Sequence, residues 1–301
     1  MGDEAPVMTV GAMSGPSRGE WVDIGGRRLR VVRAGPSEGG PLVVMECGAF
    51  GCAADWHRVQ EALAGLGIRS LAYDRAGLGL SDPGPDPRDG RAIADDLEAM
   101  LGRLEDPAPL VLAGHSMAGL FLRVLAPRVR DRLVGLVLVD AVTPEAVDHP
   151  AAARMIDGFR RAMFLLDKVA DLGVMHPWSL VAGDRIGLPP EISREKRRIY
   201  ASASHARASA REVQQWLETA AQGRTEGPFD PDLPVAVVTA GAVPLPGDLQ
   251  AIQNAPALAS RAGHVDRVEG ARHASLLGPR YASRVVRGIT HVLEVSPSSQ
   301  G

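Results

Sequence analysis

Cysteine is nearly absent from this 301-residue chain: Cys47 and Cys52 are the only two. That excludes a disulfide scaffold and the repeated spacing of a structural metal site. The pair lies in one predicted loop, where a local disulfide or two free thiols are both open, free thiols being the state a reducing cytoplasm imposes. Lysine is scarce and the net charge is only -3, so there is no basic field for nucleic acid and no acidic tail. No apolar run is long enough to span a bilayer, which argues against a membrane partner. Residues 1–19 have Asp3 and Glu4 among Gly, Ser and Pro instead of a continuous apolar stretch, so they read as a disordered tail and not as a secretory signal. The expectation is a soluble, cytoplasmic protein. No internal repeat is evident.

What the chain has is core material: 45% hydrophobic residues against 23% charged. Its length suits a single α/β core carrying an inserted subdomain. Residues 21–24 and 29–33 read as a hairpin around Gly25-Gly26, followed by a buried strand at 42–45. Asp55 is placed to cap a helix running through Leu66, and 70–73 form the next strand. Ile93, Leu97, Met100, Leu101 and Leu104 fall on one helical stripe, as in a crossover helix. Residues 133–139 are almost unbroken apolar, as in a parallel strand covered on both faces, and end at Asp140. Residues 143–229 then lose the βα rhythm. Their patterns are helical, with turns at His176-Pro177 and Leu188-Pro189-Pro190, and they hold Phe159, Phe164, Trp178, Tyr200, Trp216 and Phe229, half of the chain's aromatics. Strands resume at 235–239 and 264–268, and a helix over 279–293 closes the chain.

The chemistry is concentrated at Gly114-His115-Ser116-Met117-Ala118-Gly119. The apolar residues before it read as the end of a buried strand, and residues 117–125 have helical spacing, so Ser116 falls on the turn between them. Small residues at minus two and plus two let the two backbones approach closely. This segment resembles the G-x-S-x-G nucleophile elbow of the α/β-hydrolase family, with Ala118 in place of the second glycine. Asp74-Arg75-Ala76-Gly77-Leu78-Gly79-Leu80-Ser81 is similar to the family's D-x-R-G-x-G-x-S segment and reads as a structural loop without a catalytic role.

The resemblance implies a mostly parallel sheet flanked by helices over 20–142 and 230–297, with 143–229 as a helical cap that roofs the site. It also implies a set of roles. Ser116 would be the nucleophile and His273, on the loop after the last strand, its base. The other histidines fall on predicted helices, on the cap or at a strand start; His115 is expected to point away from Ser116 and to support the site from behind. The acid is Asp140, with Asp248 as the alternative, although Asp248 also fits as the N-cap of a helix. The turn Cys47-Gly48-Ala49, where the family usually begins His-Gly, would supply one oxyanion donor from the N–H of Ala49, with the N–H of Met117 as the second. No cofactor and no metal is implied. The expected activity is hydrolysis of an ester, lactone or related acyl bond in a fairly apolar small molecule. Relatives of this architecture that open epoxides or remove halogens use aspartate as nucleophile, so Ser116 counts against them. A lyase, perhydrolase or cyclase-like enzyme, or a binding protein without turnover, are the alternatives on the same fold.

Overall fold

The computed structural model describes residues 19–170, 175, 179 and 184–296. The expected tail, except Gly19, and the features at His176-Pro177 and Trp178 lie outside the described residues. Eight strands form one sheet: β1 (Glu20–Asp23), β2 (Arg28–Ala34), β3 (Leu42–Glu46), β4 (Ser70–Tyr73), β5 (Leu110–His115), β6 (Leu133–Val139), β7 (Val235–Ala240) and β8 (His264–Val268). Their spatial order is β1-β2-β4-β3-β5-β6-β7-β8, antiparallel around β2 and parallel from β4 to β8.

Side-chain alternation gives the sheet two covered faces. Met45, Ala113, Val139 and Val238 face one apolar cluster, and Val44, Leu112, Leu138 and Val237 face the other. Helices α1 (His57–Gly65) and α9 (Ala282–Val295) close the first face. On the second lie α2 (Gly90–Arg103) and α3 (Ala118–Leu125), together with α8 (Gly247–Ala259), whose Ala257 joins that cluster. Burial on both sides explains why β5 and β6 read as unbroken apolar runs rather than alternating ones. Among the described residues, no helix is long and apolar enough to cross a membrane.

Between β6 and β7 the chain builds α4 (Pro150–Val169), α5 (Pro190–Tyr200), α6 (Ala203–Gln214) and α7 (Trp216–Thr225). Charge pins α5 and α6 to strand β2 and to the loops after β3 and β4. Glu195 pairs with Arg30, Lys196 Nζ lies 2.5 Å from Asp55, and Glu212 lies 2.7 Å from Arg75. All six residues are buried. Such pairs add little net stability, but removing one partner strands the other charge at a cost of about 3–5 kcal/mol, so they fix where these helices sit. The Asp55 pairing corrects one expectation. Asp55 does not cap α1: it lies within a 3-10 turn, Ala53–Trp56, and its carboxylate faces Lys196 and the amide of Cys52. The bond from the Cys52 amide is the capping-box contact of that 3-10 turn, so the carboxylate serves the turn ahead of α1 and the buried Lys196 at once.

His205 on α6 is a second kind of tether. Its Nδ1 accepts from the amide of Gly79 at 3.1 Å, and its Nε2–H donates to the carbonyl of Phe50 at 3.3 Å. Both bonds require a neutral ring, because a proton on Nδ1 would face the Gly79 N–H. Burial pushes the His205 pKa down to about 3. Between that value and the ordinary histidine range near 6.5, the unfolded chain therefore binds a proton that the folded one does not. Stability is full above the unfolded value and falls as pH drops below it. Urea unfolding is expected to show a loss from pH 7 to pH 5 of about 2 kcal/mol from His205 alone. In His205→Gln that share of the pH dependence should vanish; an unchanged pH slope would show that the ring is not held neutral.

Candidate active site

Ser116 sits where the strand meets the helix. Strand β5 ends at His115, Met117 is the N-cap of α3, and Ser116 between them has φ +60°. Left-handed backbone in a serine costs of the order of 1–3 kcal/mol and persists only where the surroundings over-determine it. Here they do: the Ser116 amide donates to Val139 O at 3.1 Å, and its carbonyl accepts from Val142 at 2.9 Å and Gly119 at 3.2 Å. The alanine at 118 is accommodated because Gly119 supplies the closest approach. A Cβ on Gly119 would lie 2.4 Å from Val142 O.

Asp140, the residue after β6, is held in the same way. Its φ is +43°, and its amide donates to Val238 O at 2.7 Å. This turns the carboxylate across the ends of β6 and β7, where Oδ1 accepts from the amide of Ala240 at 3.1 Å and from Gln253 Nε2 at 3.2 Å. Oδ2 lies 2.7 Å from His273 Nδ1. Burial works against the carboxylate charge, yet the hydrogen bond from His273 and its proximity carry the Asp140 pKa below the ordinary range. The acid is therefore ionised throughout the neutral range.

His273 opens a short 3-10 turn, His273–Leu277, directly after β8. His115 lies behind it, the two rings 4.4 Å apart and tilted by 32°, with His115 Nε2–H donating to His273 O at 3.2 Å. Burial, with His273 adding to it, pushes the His115 pKa down to about 3. A neutral His115 supports the backbone of His273 without placing a second cation against its ring.

Asp248 is elsewhere. It is 74% exposed at the side chain, and its Oδ2 lies 3.0 Å from His149 Nε2. Nor does it cap the helix as expected: the Gln250 amide already bonds Pro246 O at 2.9 Å, so α8 starts at Gly247 and Asp248 is its second residue.

Ser116, Asp140 and His273 line one cavity of about 680 Å³, together with Ala49 and apolar residues that include Phe159 on α4 and Trp216 on α7. Gly48 packs against this corner. A Cβ there would lie 2.8 Å from Ser116 Cβ and 3.1 Å from His115 O. Among the described residues, the amides of Ala49 and Met117 donate to no protein acceptor. Cys47 and Cys52 are free and buried, and burial raises both thiol pKa values well above the ordinary range. Three contacts in this geometry have no counterpart in the motif reading: the His115 ring against His273, Gln253 on Asp140, and the buried ion pair of Arg75 with Glu212.

A family profile described as alpha/beta hydrolase fold matches residues 41–171, a span that holds the elbow and Asp140. With the sheet order and the strand-turn-helix at Ser116, this identifies the fold. The chain has the α/β-hydrolase fold. A thermophilic esterase from Thermogutta terrifontis, with malate bound, superposes with a TM-score of 0.67 at 22% identity, over 92% of this chain and 98% of that one. The Cif epoxide hydrolase from Acinetobacter nosocomialis gives 0.72 at 14% identity, over 91% and 88%. At such identities the likeness shows the α/β-hydrolase fold and does not choose a reaction. Among curated proteins, the probable transporter efuK of Hormonema carpetanum is 37% identical over 129 residues, which is 40% of this chain and 18% of that protein. The chain matches only 18% to 40% of the length of such curated relatives.

Proposed function

We propose that this chain is a serine hydrolase that cleaves an ester, lactone or related acyl bond of a small, largely apolar molecule through an acyl-enzyme on Ser116. The observation that carries the reading is the 2.7 Å bond between His273 Nδ1 and Asp140 Oδ2, on the wall of the same cavity that the strained Ser116 faces.

That bond assigns the imidazole proton to Nδ1 and leaves the Nε2 lone pair to act as base. Ser116 Oγ attacks the acyl carbon as its proton passes to His273 Nε2, and the carbonyl electron pair becomes an oxyanion. The amides of Ala49 and Met117 receive that charge. Collapse breaks the bond to the leaving oxygen, which takes the proton from His273. Water then repeats the sequence, its proton passing to His273 and onward to Ser116 as the acid is released. Helices α4 to α7 act as a cap, and the aromatic side chains they bring to the cavity favour an apolar acyl or alcohol group. The shared fold with an esterase is consistent with this chemistry. The epoxide hydrolases of the same fold need a carboxylate where this chain has Ser116.

A fluorophosphonate probe tests the proposal directly, because phosphonylation needs an activated hydroxyl. One equivalent should be incorporated on the peptide containing Ser116, with p-nitrophenyl ester turnover lost in proportion. An unlabelled protein, or a label on another serine, would remove the acyl-enzyme from the account.

A further inference from the structure

Arg75 leads off the glycine loop after β4, and its guanidinium is buried at 2% exposure. Every one of its five N–H groups is used. Nε donates to Glu212 Oε1 at 3.0 Å, and Nη2 donates to Glu212 Oε2 at 2.7 Å. Nη1 reaches Glu46 Oε1 at 2.5 Å and the carbonyl of Cys47 at 2.6 Å, while Nη2 also reaches the carbonyl of Gly48 at 3.0 Å. The ring of Phe121 lies under the guanidinium, 4.9 Å from its carbon.

The carbonyl of Gly48 belongs to the same peptide unit as the amide of Ala49. In a planar trans peptide the C=O and N–H point in opposite directions, so tying the carbonyl to Arg75 aims the Ala49 N–H away from Arg75. Ala49 lines the cavity that Ser116 faces. Residue 48 must be glycine, because a Cβ there would strike Ser116, and glycine leaves the flanking peptides free to rotate. Two donors hold the plane: the Gly51 amide, 3.2 Å from the Gly48 carbonyl, and Arg75 from below, which Glu212, on a helix of the segment between β6 and β7, holds in turn.

We propose that Arg75 is a positioning residue that fixes the direction of the Ala49 oxyanion donor, and that Glu212 makes this direction depend on the seating of α6. The inference rests on the serine-hydrolase reading and extends it: the helices over the cavity set the electrophilic side of the site as well as its roof. Glu46 completes the support, its second oxygen accepting a hydrogen bond from the Tyr73 hydroxyl.

The test separates the oxyanion from the rest of binding. A trifluoromethyl ketone captured by Ser116 forms a hemiketal oxyanion, whereas the corresponding secondary alcohol fills the same space without one. Arg75→Met alone would strand both Glu212 and Glu46, so the double variant Arg75→Met/Glu212→Met is made in a Glu46→Gln background, with Glu46→Gln alone as its reference, an exchange that leaves no unpaired buried charge. Glu212→Gln is a second variant that keeps the shape and loses the charge. In the double variant, ketone affinity and kcat for a short acyl ester should fall together by about 10–100-fold, within what loss of one oxyanion donor costs. Alcohol affinity should change less than about twofold, since no oxyanion forms with it. Glu212→Gln should lie between the double variant and the parent. Equal loss for ketone and alcohol, or full ketone affinity in either folded variant, overturns the positioning role. A parent protein that captures no ketone at all would instead refute the serine-hydrolase reading.

Discussion

Asp140→Asn is expected to lower kcat for an ester by a factor on the order of 10⁴ while leaving the fold in place. The surroundings of the carboxylate determine how the asparagine would sit. At the Oδ1 position two donors converge, the amide of Ala240 at 3.1 Å and Gln253 Nε2 at 3.2 Å. Only the amide oxygen satisfies both, so the NH₂ must take the Oδ2 position, opposite His273 Nδ1. The ring must then accept at Nδ1 and carry its proton on Nε2, which leaves no base for Ser116. Asp248→Asn supplies the contrast. Its carboxylate is exposed and bonded to His149, so kcat should stay within about twofold of the parent, as for an ordinary surface change. Steady-state kinetics on both variants, with thermal unfolding as the control for folding, decides the matter. Full activity in Asp140→Asn, or collapse in Asp248→Asn, would exchange the two assignments.

The difference between these aspartates marks how far the linear chain can be read. Strands β5 and β6 are legible because burial on both faces turns each into an apolar run, and the end of such a run locates Asp140. The elbow is legible because its small residues are adjacent in the chain. Choosing Asp140 over Asp248 required the resemblance, since each ends or starts a regular element near the correct sheet edge. Asp55 was misread for the opposite reason: its neighbours say cap, and the ion pair that decides its role comes from Lys196 on a helix far along the chain.

The remaining participants have no local signature. Gln253 meets Asp140 across 113 residues of chain, Glu212 meets Arg75 across 137, and His115 meets His273 across 158. These pairings lie in no spacing pattern, because one partner of each is brought in by packing of a helix or turn against the sheet edge. His115, expected to point away from Ser116 and to support the site from behind, lies against the ring of His273. Arg75 was visible as a charge in a glycine loop, but its partners were not.

Gly48→Ala is the second large effect, and it arises from space and not from charge. A methyl at this position would lie 2.8 Å from Ser116 Cβ, 3.1 Å from His115 O and 3.4 Å from His115 Nδ1. None of these is the free end of a flexible chain: Ser116 is fixed at φ +60° by three backbone hydrogen bonds, and His115 is the last residue of β5. The loop carrying Ala49 is the part able to yield, although its carbonyls at Cys47 and Gly48 are held by Arg75. Either the loop retreats and the Ala49 amide leaves its position, or Ser116 is pushed from its own. Loss of one oxyanion donor costs a factor of about 10²–10³ in kcat, and overpacking costs about 1–3 kcal/mol of stability. Gly102→Ala is the matched control, since that position on α2 has nothing within 4 Å of the added carbon. Its activity should be unchanged, and its stability should rise by about 0.5–1 kcal/mol because alanine favours the helix. Equal kcat values in the two alanine variants would show that Gly48 has no part in keeping the donor and the hydroxyl in register.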